Sequence, residues 1–306
     1  MPLLLKIQPP VFLFIIFCPL FLFGQEQDIT INQYPTASLN FYGDSILKAS
    51  TDSIRQAYHL QFKQRLDSIL KQPQSFNYTF ELVKNLSVLT SDDKKVRVYS
   101  WMVPAKNGMS FAFFGYVQVM NAQKKMKVYE LKEIKYQNNE EASYLKLTDS
   151  TWYGALYYKM LHKKYDKKDQ YILLGWHGKD VFSTRKVMEC MTVTPVKIEF
   201  AKPVFKSTGK AKNRIILEYN AQASVTLNYN TDEGMIIQDH LSSTDPRPEA
   251  KGMFSLYGPD MTYDGWKFKE GYWYLKQNVE VTNKKEDKAP DVKLRHDLRM
   301  QHKQDH

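Results

Sequence analysis

Ser110-Phe111-Ala112-Phe113-Phe114-Gly115-Tyr116-Val117-Gln118-Val119 is the stretch that decides the fold. Phe111, Phe113, Gly115, Val117 and Val119 alternate with Ser110, Ala112, Phe114, Tyr116 and Gln118, which is the two-residue period of a strand. The mixture suggests a strand with one buried face and one aromatic face. Asn107-Gly108 just before it marks a tight turn. Upstream, Ser87–Thr90 and Lys95–Val103 flank the turn Ser91-Asp92-Asp93-Lys94.

Downstream the same texture continues. Lys127–Ile134, Gly154–His162 and Gln170–Trp176 read as strands, the last two joined by the lysine-rich loop 163–169 as a solvated hairpin tip. Arg185–Val193 and Lys197–Phe205 flank Thr194-Pro195. Ile215–Tyr219, Ser224–Tyr229 and Met235–His240 read as an antiparallel meander. Phe254–Tyr257, Trp266–Lys269 and Tyr272–Lys276 follow, with Glu270-Gly271 as a hairpin turn. Short strands at this spacing define a mainly β chain, an antiparallel meander or hairpin array of sandwich, barrel or propeller-like form. No helix-length pattern separates the strands, which argues against a doubly wound α/β fold.

One amphipathic helix precedes the strands. From Asp52 to Lys71, Ile54, Ala57, Tyr58, Phe62, Leu66 and Ile69-Leu70 recur at three- and four-residue spacing. Ser50, Thr51 or Asp52 can cap its start and Pro73 stops it. Arg55, Gln56, Lys63, Gln64, Asp67 and Lys71 define its outer face. Residues 25–41 read as an extended lead-in, so the expected divisions are 25–73, a β-rich domain over 74–281, and a flexible charged tail over 282–306.

At the N-terminus, Lys6, the apolar run Val11–Phe23 and Gly24-Gln25 describe a secretory signal peptide over residues 1–24. The run is shorter than the roughly 20 residues of a bilayer-spanning helix. Cys18 raises the question of a lipoprotein, but Phe17 and Pro19 are a poor lipidation context. The expected product is exported, periplasmic or extracellular and soluble, with no stable membrane span after cleavage; a retained anchor is the alternative. Loss of Cys18 leaves Cys190 as the only thiol, so no internal disulfide is expected and stability rests on the core.

The net charge is +10, but lysines fall in short pieces such as Lys124-Lys125, Lys163-Lys164-x-x-Lys167-Lys168 and Lys284-Lys285, most of them interrupted by acids. No concentrated basic face on a recognisable module is visible, which argues against a nucleic-acid partner. Five Trp, 20 Tyr and 17 Phe make the chain 14 % aromatic, which suits strands, core or a ligand platform.

Motifs for catalysis are missing: there is no Gly-x-Ser-x-Gly, Walker loop, Gly-x-Gly-x-x-Gly or His-Glu-x-x-His. Asn228-x-Asn230-x-Asp232 with Asp239 echoes a calcium loop, but Gly234 falls one place late, so a polar β-turn is the reading. The tail residues His296, His302 and His306 have no closing ligand set. No metal, cofactor or catalytic residue is therefore assigned. Polar and aromatic residues concentrate at strand ends, and the candidate binding residues are Trp176, Asp180, Asp239, His240, Asp260, Asp264 and Trp266.

Ser91-Asp92 with Lys95-Val96-Arg97-Val98-Tyr99-Ser100-Trp101, Leu173-Leu174-Gly175-Trp176-x-Gly178-x-Asp180, Lys202-Pro203-Val204-Phe205-Lys206, Asp239-His240-Leu241-Ser242 and Tyr257-Gly258-Pro259-Asp260 together resemble a group of exported bacterial proteins without an established activity. The resemblance spans about residues 76–276 and implies export and a β-rich body. His177 departs from it, since that position is more often acidic in the group, which argues against a shared ligand role for His177. The function expected is a non-enzymatic binding or structural component of the bacterial envelope, with an envelope protein or glycan as partner. The alternatives are an envelope hydrolase or glycan-processing enzyme with Asp239, Asp260 and Asp264 as candidate acids, and a glycan-binding module using Trp176, Trp266 and neighbouring Tyr residues.

Overall fold

A computed structural model describes residues 34–280 apart from positions 106, 122, 137 and 195. The signal segment, Cys18, residues 25–33 of the lead-in and the tail beyond 280 lie outside the described residues.

Among the described residues the fold is mainly β: three largely antiparallel sheets stacked in layers, with a helix pair on the outer face of the first. The first sheet is a four-strand meander of β1 (Ser87–Thr90), β2 (Val96–Pro104), β3 (Phe111–Met120) and β4 (Met126–Lys132). The second is built on β6 (Leu156–Tyr165), β7 (Lys168–Gly178) and β8 (Ser183–Val193); the far edge of β8 pairs with β11 (Arg214–Asn220) and, near its end, with β9 (Ile198–Phe200), which carries β5 (Leu147–Thr148). The third orders β10 (Phe205–Lys206), β15 (Tyr272–Lys276), β14 (Tyr257–Lys269), β13 (Met235–Ser243) and β12 (Leu227–Asn230), all antiparallel except β10 beside β15. No barrel closes.

Alternation along the strands explains the layering. In β2, Val96, Val98 and Met102 join Phe113 and Val117 against Tyr171, Leu173, Val187 and Met191 of the second sheet. Tyr99, Trp101 and Val103, with Tyr116, face the helices instead. The other face of the second sheet, Ile172, Leu174, Met188 and Cys190, packs on Ile236, Trp266 and Trp273 of the third. The strand 111–120 therefore has both faces covered, Phe113 and Val117 lying in the core toward the second sheet and Tyr116 in the core under the helices.

The helices are α1 (Tyr34–Lys48) and α2 (Asp52–Leu70), and α1 replaces the extended lead-in expected over 25–41 wherever the two overlap. Leu39, Ile46 and the half-buried Tyr42 give α1 its apolar stripe. Gly43 weakens the helical signal in the sequence, yet the contact needs it: a Cβ there would stand 2.1 Å from the Lys84 carbonyl oxygen. Thr51 caps α2, its side chain accepting from the Ile54 amide. Arg55, expected on the outer face, is buried: its Nε donates to Ile46 O at 3.0 Å and Nη2 to Ala49 O at 2.7 Å, and it pairs with Asp52. It closes the C-terminal carbonyls of α1, where a cation is favoured, while Ile54 stays exposed. A third helix, α3 (Asn139–Tyr144), starts on Asn138, whose side chain accepts from the Glu141 amide.

Two further expectations change. β11 pairs with β8 in the second sheet and not with β12, because its ladder partner is fixed by a buried ion pair, Glu189 opposite Arg214, both fully buried and joined at 3.1 Å. The stretch 197–205 breaks into β9 and β10 around Lys202-Pro203, since proline cannot donate to a ladder. Among the described residues no disulfide forms, and no helix is long and apolar enough to cross a membrane.

Several buried ionisable groups make the fold acid-sensitive. Burial pushes His177 down to about 3 and His59 down to about 4, so both fold neutral. Burial alone would raise Glu218, but hydrogen bonds from Lys179, Ser183 and Arg185, with the Arg185 charge, outweigh it and hold Glu218 at about 2. As pH falls below about 6.5 the unfolded chain takes up protons that the two folded histidines refuse, and below about 4.5 Glu218 adds to the loss. Unfolding free energy from urea titrations is expected to fall from about pH 6 downward, by up to ~1.4 kcal/mol per pH unit for each group. A profile flat between about pH 6 and pH 4 would contradict this.

Candidate functional site

The seven sequence candidates separate into buried scaffold and one small cluster. Trp176 is buried, its Nε1 donating to Thr184 Oγ1 at 2.7 Å and its ring edge-on to Phe111 at 5.3 Å. Trp266 is buried in the third sheet and donates to Gln238 Oε1 at 2.8 Å. Neither indole presents a face to a ligand, which corrects the expectation of a stacking platform on these two rings. Asp180 accepts from the Phe182 and Ser183 amides, each at 2.8 Å, and so shapes its own turn. Asp239 accepts from the Thr226 amide at 2.6 Å, beside β12. His177, deep between sheets, stacks on Phe113 at 4.8 Å, its Nδ1 lying 2.7 Å from Gly154 O.

His240, Asp260 and Asp264 do come together. The β13–β14 register shifts between Asp239 and Leu241, an irregularity of the kind that re-aims a side chain, and His240 sits at that step. Its Nδ1 lies 3.0 Å from Asp264 Oδ2 and its Nε2 lies 3.9 Å from Asp260 Oδ2. The hydrogen bond to Asp264 holds the imidazole above its usual range, against a smaller effect of burial. The protonated form therefore stabilises the fold at low pH, and this contribution is lost as pH rises through the raised value. None of the seven residues lines either of the two cavities described next.

The larger cavity, about 600 Å3, opens where the first and second sheets end. Its walls come from Lys95 and Val96, Val119 and Met120, the start of β7, the end of β8, Glu199 and the segment 201–203. β6 and β7 are joined by a two-residue turn, Asp166-Lys167, with both residues at positive φ (47° and 58°), as the hairpin twist requires. That turn brings Lys167 and Lys168 to the cavity wall, which Lys202 also lines. Glu199 pairs with Lys197 at 3.0 Å, and Asp169 is engaged by His162 and Lys95. Lys167, Lys168 and Lys202 have no acidic partner among the described residues, so the cavity keeps an uncompensated positive charge. A second cavity of about 510 Å3 lies between β1 and Leu156–Tyr158 and is more apolar.

Beside the lysine cavity, sharing Lys95, Asp169 and Tyr171 with it, is a cluster that the sequence did not reveal. His162 Nε2 lies 2.9 Å from Asp169 Oδ1 and 3.6 Å from Asp93 Oδ2. Ser91 Oγ donates to Asp93 at 2.6 Å, the Lys95 amide at 3.2 Å and Tyr171 O–H at 3.1 Å. Burial works to raise the Asp93 carboxyl, but these bonds and the neighbouring imidazole outweigh it and hold Asp93 below the usual carboxylate range. Asp169, and then Asp93, hold the Lys95 ammonium above its ordinary value. Asp93 belongs to one hairpin and His162 and Asp169 to another, so only the stacking of the two sheets unites them.

Comparison with protein-family models, curated proteins and solved structures found no match.

The free thiol of Cys190 is fully buried, and burial raises it to about 12. It is expected to resist a thiol reagent in the native protein and to react on unfolding; stoichiometric native labelling would contradict its placement. For the β13–β14 cluster, the His240 ring followed by NMR is expected to titrate above the ordinary value near 6.5, and Asp264→Asn should bring its midpoint back toward 6.5.

Proposed function

We propose that this chain is an exported, non-enzymatic binding protein of the bacterial envelope and that its ligand is an acidic saccharide held in the lysine-lined cavity. The apolar run Val11–Phe23 with Lys6 and Gly24, and the resemblance to exported proteins, support the address. The observation that carries the ligand class is the charge balance of the cavity: its acids already have cationic partners, whereas Lys167, Lys168 and Lys202 have no acidic partner among the described residues. A cavity of about 600 Å3 lies in the range of small-ligand pockets, and Tyr171 with Val119 and Val193 supplies apolar wall beside the charges. Such a pocket would draw carboxylated or sulfated sugars by charge, with an affinity that weakens as salt rises.

The alternative, a hydrolase built on Asp239, Asp260 and Asp264, has less support. Asp260 and Asp264 flank one imidazole, while Asp239 is engaged by the Thr226 amide.

Binding of polygalacturonate, dextran sulfate and neutral dextran by calorimetry at low salt tests the reading. The two acidic polymers are expected to bind and neutral dextran to be silent. Replacing Lys167, Lys168 and Lys202 together by Ala should weaken binding by about tenfold or more, a combined loss of ~1.4 kcal/mol or more. Equal binding of neutral dextran, unchanged affinity in the triple variant, or preference for anionic lipid vesicles over both acidic polymers would overturn it.

A further inference from the structure

We propose that Asp93, His162 and Asp169 form a binding site for a divalent transition-metal ion of the zinc class, at the edge of the lysine cavity. One ligand atom from each residue lies within 4.8 Å of the other two, and His162 Nε2 stands 2.9 Å from Asp169 Oδ1 and 3.6 Å from Asp93 Oδ2. One imidazole nitrogen and two carboxylate oxygens make a mixed donor set that zinc and its neighbours accept. Three protein ligands leave a coordination position open, and all three side chains are partly solvent-accessible, at 14 %, 15 % and 28 % exposure.

The surroundings hold these donors in place. Ser91 Oγ, the Lys95 amide and Tyr171 O–H fix the Asp93 carboxylate, and the Tyr171 ring stacks on the His162 imidazole at 5.1 Å and 19°. Outer hydrogen bonds of this kind orient first-sphere ligands in metal sites. Because the donors come from two sheets, the site exists only in the folded chain, and metal bound there stabilises the fold by linkage.

A cation already visits this seat. Lys95 Nζ lies 3.4 Å from Asp93 Oδ2 and 3.6 Å from Asp169 Oδ2, contacts too long for strong hydrogen bonds, and its side chain is half exposed. A divalent ion would displace the ammonium and free Lys95 toward the neighbouring cavity. The lysine is then a competitor for the site, a consequence that a purely structural ion-pair cluster would not share.

The test is calorimetric titration of the full, chelator-treated chain with Zn2+, with Ca2+ as the control and no saccharide present, so its outcome is independent of the ligand reading above. One saturable zinc site per chain is expected, with Ca2+ at least about tenfold weaker because of the imidazole donor. His162→Gln and Asp169→Asn should each weaken zinc binding about tenfold or more, a loss within the range seen when metal-site contacts are removed. Lys95→Met should tighten zinc binding severalfold, and this variant keeps the proposal testable if a ligand substitution unfolds the chain. Absence of a saturable site, or zinc binding that survives both ligand substitutions because the tail residues His296, His302 and His306 hold it, would overturn the proposal. So would unchanged or weaker binding in Lys95→Met.

Discussion

Arg214 and Glu189 are the interaction on which the rest of this structure depends. Both are fully buried, and they face each other at the end of the β8–β11 ladder. Removing two charges from water costs several kcal/mol per ion, which a buried pair offsets only when its remaining hydrogen-bonding groups are satisfied. Here they largely are. Arg214 Nη1 reaches Ala142 O and Leu145 O around the end of α3, and Nη2 donates to Phe200 O of β9 at 2.9 Å. The second Glu189 oxygen accepts from Tyr157 O–H, which in turn accepts from Trp152 Nε1 at 2.7 Å. One guanidinium therefore ties β11, β8, β9 and α3 together, and the carboxylate carries the chain on to β6. A slip of one residue in β11 would leave both charges facing unmatched apolar surface, so the pair specifies register more than it adds stability.

That register places the rest. With β8 fixed, β7 lies between it and β6, covered on both faces, and its first residues emerge at one end of the stack. The same strand that contributes Leu173 to one core and Leu174 to the next thus delivers Asp169 and Tyr171 to the site. The cavity and the Asp93–His162–Asp169 cluster are consequences of how far the first two sheets overlap. Neither belongs to one local segment.

Much of the fold was legible in the sequence, because the two-residue period of strands such as 111–120 and the three-to-four-residue spacing of α2 are local signals. What was not legible depended on distant partners. Gly43 weakens the helical signal of α1, and its reason lies in the Lys84 backbone, while the first turns of α2 bury Arg55 and His59 where the pattern favoured Ile54 and Ala57. β11 read as part of a meander because its hydrophobic period does not say which sheet it joins. Among the candidate site residues, Trp176 and Trp266 stood at strand ends and looked available, yet each ring is core and each N–H has an internal acceptor. The lysines looked scattered because they belong to different turns. Tracing the antiparallel strands would have put the 91–94 and 163–169 tips at the ends of their hairpins, but not at the same end of two separate sheets.

The central claim is that a buried charge pair fixes the register of the middle sheet, and a double-mutant cycle on Glu189 and Arg214 tests it most directly. Glu189→Met and Arg214→Met are each expected to cost about 3–5 kcal/mol in urea unfolding, since each strands the other charge. The double variant should cost clearly less than the sum of the two, with a coupling energy above about 1 kcal/mol. Additive costs, or single variants as stable as the parent chain, would contradict the account.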